Sequence, residues 1–241
     1  MTVTSPDQPA TEPWYELDVA EAARRLDVDP AIGLTDDGVA RRRDEWGFNR
    51  LDEPVPRPKW LRFVDQFRSG IVYVLIGAAV LAGLVGDLKD PIVIAVVLIL
   101  NAVLGYVQEA RADTAMAALK RMLVTRVRVR RDGGVHEVDA DDLVPGDIVL
   151  LEAGDRVPAD GRLFVAVNAS IDESALTGES APVDKQVEPL GAGDRPLGDR
   201  TNLAYMNTTV VRGRAELLVT ETGMHTEMGQ IADLLGRAEE D

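Results

Sequence analysis

"LVPGDIVLLEAGDRVPADGRLFVA", residues 143–166, holds short apolar runs cut at Pro145-Gly146, Gly154-Asp155 and Asp160-Gly161. Each pair is turn chemistry, since proline presets φ and glycine or aspartate tolerates conformations that other residues avoid. Apolar runs of this length between such pairs read as β-strands. Upstream, "TRVRVRRDGGVHEVDA", residues 125–140, alternates Arg126, Arg128 and Arg130 with Val127 and Val129 and then reaches Asp132-Gly133-Gly134. That pattern predicts a hairpin with the arginines on its wet face. Downstream, "TVVRGRAELLVTETG", residues 209–223, is expected to form another hairpin, and "TEMGQIADLLGRAEE", residues 226–240, a helix. Many short strands with few long helices predict a compact antiparallel β domain.

Moving outward, the polarity breaks twice. "IVYVLIGAAVLAGLVG", residues 71–86, carries no charge, and "PIVIAVVLILNAVLGYV", residues 91–107, has Asn101 as its single polar side chain. At about 1.5 Å per residue the first run spans roughly 24 Å of a hydrocarbon core of about 30 Å. Phe63, Val64, Phe67 and Leu88 extend the apolar lengths, and Pro91 suits the first turn of a helix. Arg57, Lys59, Arg62 and Arg68 precede the pair and Arg111, Lys120 and Arg121 follow it, whereas the connector "DLKD" has Lys89 between Asp87 and Asp90. By the positive-inside rule this is a two-span transmembrane hairpin with both chain termini cytoplasmic. A helical hairpin buried in a soluble protein is the competing reading. After Val107, "QEARADTAMAALKRML" is rich in strong helix formers and is expected to carry the second span on as a stalk.

Before the hairpin, residues 18–51 read as two short helices with Ala20, Ala23 and Leu26 on one face, Thr35 as an N-cap, and a glycine-containing turn between them. The fold class expected is therefore α+β: a transmembrane helical hairpin, a cytosolic β-rich domain, and a small N-terminal helical segment. The domain limits are 1–62, 63–109 and 110–241. Residues 1–13, "MTVTSPDQPATEP", read as a disordered leader without a signal-peptide pattern.

Composition narrows the function. A formal charge of −15 argues against a nucleic-acid partner, which requires a basic face. The absence of cysteine removes thiolate metal sites and thiol nucleophiles. Two histidines, His136 and His225, lie far apart in polar surroundings and read as surface residues. No metal site is expected. "SALTGESAPV", residues 174–183, sets a carboxylate, Glu179, between a glycine and hydroxyls on an exposed loop. Alone this is a surface turn.

Five motifs in order change that reading: "GFNRL" (47–51), "NAVLGYVQEARADTAMAAL" (101–119), "LVPGDIVLLEAGDRVPADGRL" (143–163), "DESALTGESAPV" (172–183) and "GMHTEMGQI" (223–231). The chain, from about Trp14 onward, resembles the N-terminal part of a P-type cation-transporting ATPase, in the branch of calcium and sodium/potassium pumps. The resemblance implies that the β domain is an actuator, which rotates to bring its Thr-Gly-Glu-Ser loop to an aspartyl phosphate formed elsewhere in the pump. It implies Glu179 as the general base for the attacking water, Gly178 for close backbone approach, and Thr177 and Ser180 for loop shape. Glu173, six residues away, is expected to matter little to turnover. ATP and Mg²⁺ are implied for the full-length pump and no cofactor for this chain. The implied partners are the lipid bilayer of the plasma (inner) membrane and the pump's phosphorylation, nucleotide and remaining membrane domains.

Three departures qualify the resemblance. No Asp-Lys-Thr-Gly-Thr motif or glycine-rich Walker loop occurs, so the chain is expected to be a piece of a pump that cannot hydrolyse ATP alone. Asn207 stands where relatives carry glycine, and Arg68 and Ser69 where calcium pumps are acidic. A non-enzymatic membrane adaptor that regulates a full-length pump is the alternative function.

Overall fold

The computed structural model describes residues 13–52, 70–85, 89–122 and 125–240. They fall into two compact units, one from residues 13–52 with 125–240 and one from the described residues between 70 and 122. The leader (1–12) and the proline-rich connector before the hairpin lie outside the described residues.

The first unit is built on a seven-stranded sheet in which every ladder is antiparallel. Its strands are β1 (Arg126–Arg131), β2 (Gly134–Asp139), β3 (Ile148–Glu152), β4 (Asp160–Asp172), β5 (Val183–Asp184), β6 (Leu203–Ala204) and β7 (Thr209–Glu221). The spatial order is β2-β1-β3-β7-β4-β5, with β6 added to β4. The expected β1–β2 hairpin forms around Asp132 and Gly133, with φ of 48° and 72°, as a two-residue reversal with positive φ at both positions requires. Val127 and Val129 point into the core as the alternation predicts.

Two strand expectations are corrected. Asp160-Gly161 opens β4 instead of turning. Residues 209–221 form one long strand rather than a hairpin, because β4 is equally long and pairs along its whole length. In place of a turn, Gly213 lies opposite a bulge of β4 at residues 168–169. Its φ is 76°, and a Cβ there would lie 2.3 Å from the carbonyl oxygen of Asn168 and 2.4 Å from that of Val167. The register between β4 and β7 shifts at this point, which lets two long strands bend together without losing their pairing.

Val127, Val129, Leu143, Val149, Leu151, Leu163, Ile171, Leu217 and Val219 make the main core. Ile148 and Leu218 have the opposite parity and are just as buried, because α1 (Val19–Arg25) covers that face with Ala22 and Ala23. The inward face of α1 is thus Ala22, Ala23 and Leu26, and Ala20 is exposed, a correction to the expected stripe. Small alanines let the helix sit close to the sheet. Asp18 caps α1 by accepting the Glu21 N–H at 2.7 Å. Thr35 caps α2 (Asp36–Trp46) as expected, accepting the Gly38 N–H at 3.2 Å.

Buried polar contacts fasten this N-terminal segment to the sheet. Asn49 of "GFNRL" is 2% exposed. Its amide donates to the carbonyls of Ala140 and Pro158, both at 2.9 Å, and its oxygen accepts the Gly223 N–H at 2.8 Å. Arg162, fully buried, donates to the carbonyl oxygens of Leu17, Val187 and Asn202. Within the sheet domain itself, Asp147 of "LVPGD" accepts Arg131 through both carboxylate oxygens, at 2.8 and 2.6 Å, and the Val144 N–H at 2.9 Å.

The second unit holds α3 (Gly70–Val85) and α4 (Lys89–Met122), which pack against each other. As a helix of 34 residues, α4 is about 50 Å long. It begins at Lys89, which puts Pro91 in its first turn, and continues unbroken into the expected stalk. Its stretch Ile92–Met116 contains a window of 18 residues with a mean hydropathy of 2.1 and is long and apolar enough to cross a membrane. Among the described residues it is the one helix that meets that measure; the apolar stretch of α3, Val72–Leu81, is shorter. Tyr73, Val74, Leu81, Leu84, Ile92, Val93, Ile99 and Leu100 are exposed.

Candidate functional site

The site is built where β4 ends. Ile171 is the last core residue of the strand, Asp172 turns outward, and the chain makes one helical turn, α5 (Ser174–Thr177). The Asp172 carboxylate accepts the Ser174 N–H at 3.0 Å. The Ser174 hydroxyl and N–H together hold that carboxyl below the usual carboxylate range. Within the turn the Glu173 carbonyl accepts the N–H of Leu176 at 2.9 Å and that of Thr177 at 3.0 Å. Gly178 ends the turn in the left-handed region, φ 75° and ψ 0°, donating to the Ser174 carbonyl at 3.0 Å. This is the glycine C-cap, and nothing lies within 4 Å of where a Cβ would stand. The cap redirects the chain so that Glu179 and Ser180 leave the body of the domain.

Thr177 links the turn to Glu179. Its hydroxyl donates to the Glu173 carbonyl at 3.2 Å and accepts the Glu179 N–H, also at 3.2 Å. The Glu179 backbone is therefore tethered, while its carboxylate is exposed and has no side-chain partner among the described residues. Ser180 is exposed as well. All four expected site residues stand together on this one loop. An exposed, unpartnered carboxylate on a hydrogen-bonded turn is free to accept a proton or orient a water on a surface brought against it.

Beneath the loop lies a feature the sequence reading missed. Glu173 is 1% exposed, and its Oε1 lies 2.6 Å from Nζ of Lys185, itself buried. Burial pushes the Glu173 carboxyl up and the Lys185 ammonium down, and each partner's charge opposes the shift. Glu173 is thus a buried acid and not an exposed one, and removing it would strand a buried ammonium. Strand parity carried the signal, since Ala169, Ile171 and Glu173 alternate inward, as do Val183 and Lys185.

A cleft of about 340 Å³ opens elsewhere on the same unit, lined by Trp14, Asp160, Arg200, Tyr205, Glu221 and Glu227. Asp160 accepts the Met206 N–H at 2.6 Å and the Glu227 N–H at 2.8 Å, the latter at the start of α6 (Glu227–Glu240). Burial raises the Asp160 carboxyl to about 7 against the pull of these two bonds. Glu221 also stands at about 7, raised by burial and then by the charges of Asp160 and Glu227. Asn207 adopts φ of 71°, the conformation for which a glycine is the usual choice. His136 and His225 are exposed. Among the described residues no group of three histidines and carboxylates is placed to hold a metal ion, so Mg²⁺ is not assigned to any of these side chains.

Two family models match the chain: the P-type ATPase actuator domain over residues 121–236, and the cation transporter/ATPase N-terminus over residues 14–82. Calcium-transporting ATPase 1 of Bacillus cereus is 41% identical over 232 residues, covering 95% of this chain and 26% of that protein. Cation-transporting ATPase pma1 of Synechocystis sp. is 43% identical over 207 residues, 86% of this chain and 23% of its own length. Calcium-transporting ATPase type 2C member 1 of Mus musculus is 37% identical over 225 residues, 93% of this chain and 24% of its own. The chain spans about a quarter of the length of these relatives.

Proposed function

The chain belongs to the P-type cation-transporting ATPases, carrying their N-terminal and actuator domains, and on that premise we propose that it supplies the dephosphorylating loop and first membrane hairpin of an ATP-driven cation pump. Glu179 acts as general base, taking a proton from the water that attacks an aspartyl phosphate on the pump's phosphorylation domain. Thr177 and Gly178 hold the Glu179 backbone in place, and Ser180 completes the loop. The bond between phosphorus and the aspartyl oxygen breaks, and inorganic phosphate leaves. ATP and Mg²⁺ belong to the domains that carry the phosphoryl group. The observation that carries this reading is the pairing of a fixed backbone with a free carboxylate at Glu179.

Residues 71–107 serve as a two-span hairpin in the plasma (inner) membrane, with the β domain cytoplasmic. The exposed apolar side chains of α3 and α4 support this placement, since such a surface has no place in water. So does the continuity of α4 into residues 108–122, a rigid rod able to pass actuator rotation to the bilayer. The test is a pump that contains residues 1–241 as its N-terminal part. Glu179→Gln should still be phosphorylated by ATP, and its phosphoenzyme should decay about 10²–10⁴-fold more slowly, the usual cost of a lost general base. Decay at the parent rate overturns the assignment. Reporter fusions at residue 88 and after residue 241 should fall on opposite sides of the membrane.

A further inference from the structure

We infer that the buried Glu173–Lys185 pair is a clamp at the root of the loop 174–184, and that these two positioning residues set where Glu179 stands. The root is otherwise slight. β4 and β5 share two register pairs, Ser170 with Asp184 and Ile171 with Val183, and the Lys185 N–H adds one bond to the Ala169 carbonyl at 2.9 Å. Glu173 and Lys185 flank these pairs on the two sides of the root, and their side chains close the gap at 2.6 Å.

Glu173 is also the anchor of the turn. Its carbonyl receives Leu176 N–H, Thr177 N–H and the Thr177 hydroxyl, and that hydroxyl in turn receives Glu179 N–H. A displacement of Glu173 is therefore passed through one hydroxyl to the backbone of Glu179. Lys185 is held from its other side, with Nζ 5.9 Å from the ring centre of Tyr205, which packs in the cluster that includes Leu176 of the turn. Neither carboxylate oxygen of Glu173 nor Nζ of Lys185 has a hydrogen-bond partner among the described residues, so the two charges are met by each other alone. An apolar pair of similar volume would support a fold as well as or better than a dry ion pair. What an ion pair adds is a single geometry, because the contact is lost as soon as either partner shifts. The role given to Glu179 rests on the proposed dephosphorylation, whereas the clamp rests on this geometry.

The experiment measures amide hydrogen exchange on the full chain in detergent. Lys185→Met should speed exchange at Leu176, Thr177 and Glu179 at least about tenfold, the scale of one hydrogen bond to a charged group. Ile148 and Leu218, in the middle of the sheet, should keep their parent rates. Lys185→Arg, which keeps the charge, should restore protection of the loop. The double variant Glu173→Leu with Lys185→Met removes the stranded charge, so it should keep the sheet intact and leave the loop unprotected. Equal acceleration in loop and sheet for that double variant, or unchanged loop exchange in Lys185→Met, overturns the clamp. In the pump described above, Lys185→Met should slow phosphoenzyme decay and leave phosphorylation at its parent rate. If Glu179→Gln proves harmless there while the exchange pattern holds, the dephosphorylation reading fails and the clamp survives.

Discussion

Asn49→Asp replaces one amide nitrogen by oxygen, yet it should be among the most damaging single changes in the N-terminal segment. The native amide donates two bonds of 2.9 Å, to Ala140 and Pro158, and accepts one of 2.8 Å from Gly223, at a position 2% exposed. Aspartate keeps the acceptor and loses both donors. It also sets a carboxylate oxygen against two carbonyl oxygens with no water to screen them. Two lost bonds at about 1 kcal/mol each, together with a buried charge lacking a cation, give a deficit of about 3–5 kcal/mol at neutral pH. Asn49→Ala loses three bonds without burying a charge and should cost about 3 kcal/mol. The aspartate carries a further signature. Burial raises its folded pKa above the unfolded value, so the folded state binds the extra proton and stability returns as pH falls. The protonated acid can then donate one of the two missing bonds. Urea unfolding of the full chain in detergent, followed by tryptophan fluorescence at pH 7.5 and pH 5, reads both effects. A deficit below about 1 kcal/mol at pH 7.5, or one that grows on acidification, would refute the role given to Asn49.

Asp160 and Glu221 both have folded carboxyls near 7, raised above their ordinary values. The folded state therefore holds more protons than the unfolded one between about pH 4 and 7, and their stabilising contribution is lost as pH rises through 7. The thermal midpoint of the chain should be higher at pH 5.5 than at pH 8, and Glu221→Gln should shrink the difference; an unchanged difference counts against it. Two glycines with similar φ should respond differently to alanine. Gly178→Ala enters open space and should cost about 1–2 kcal/mol for the left-handed backbone alone. Gly213→Ala drives a methyl into two carbonyl oxygens and should cost clearly more; equal thermal midpoints would show that the β4–β7 bulge yields freely.

Local rules were legible in the sequence wherever a residue's preference concerns its near neighbours. The Asp132-Gly133 reversal, the Thr35 cap, and the alternation of Val127 and Val129 follow from side-chain size, hydrogen bonding and backbone sterics within a few residues. The turn at Thr177–Ser180 was legible too, because glycine and hydroxyl residues shape it locally, whereas the chemistry assigned to it came from the resemblance. Only the tertiary structure decided what depends on distant partners. Residues 209–221 become one strand instead of two because β4, equally long, is available to pair with all of them. Ala22 takes the inward place expected for Ala20, beside Ala23, because α1 must fit over Ile148 and Leu218. Strand parity points Glu173 inward, but nothing near it in sequence shows that Lys185, on the far side of the loop, arrives 2.6 Å from it. Burial of a charge is a property of two chain segments meeting, and neither segment states it alone.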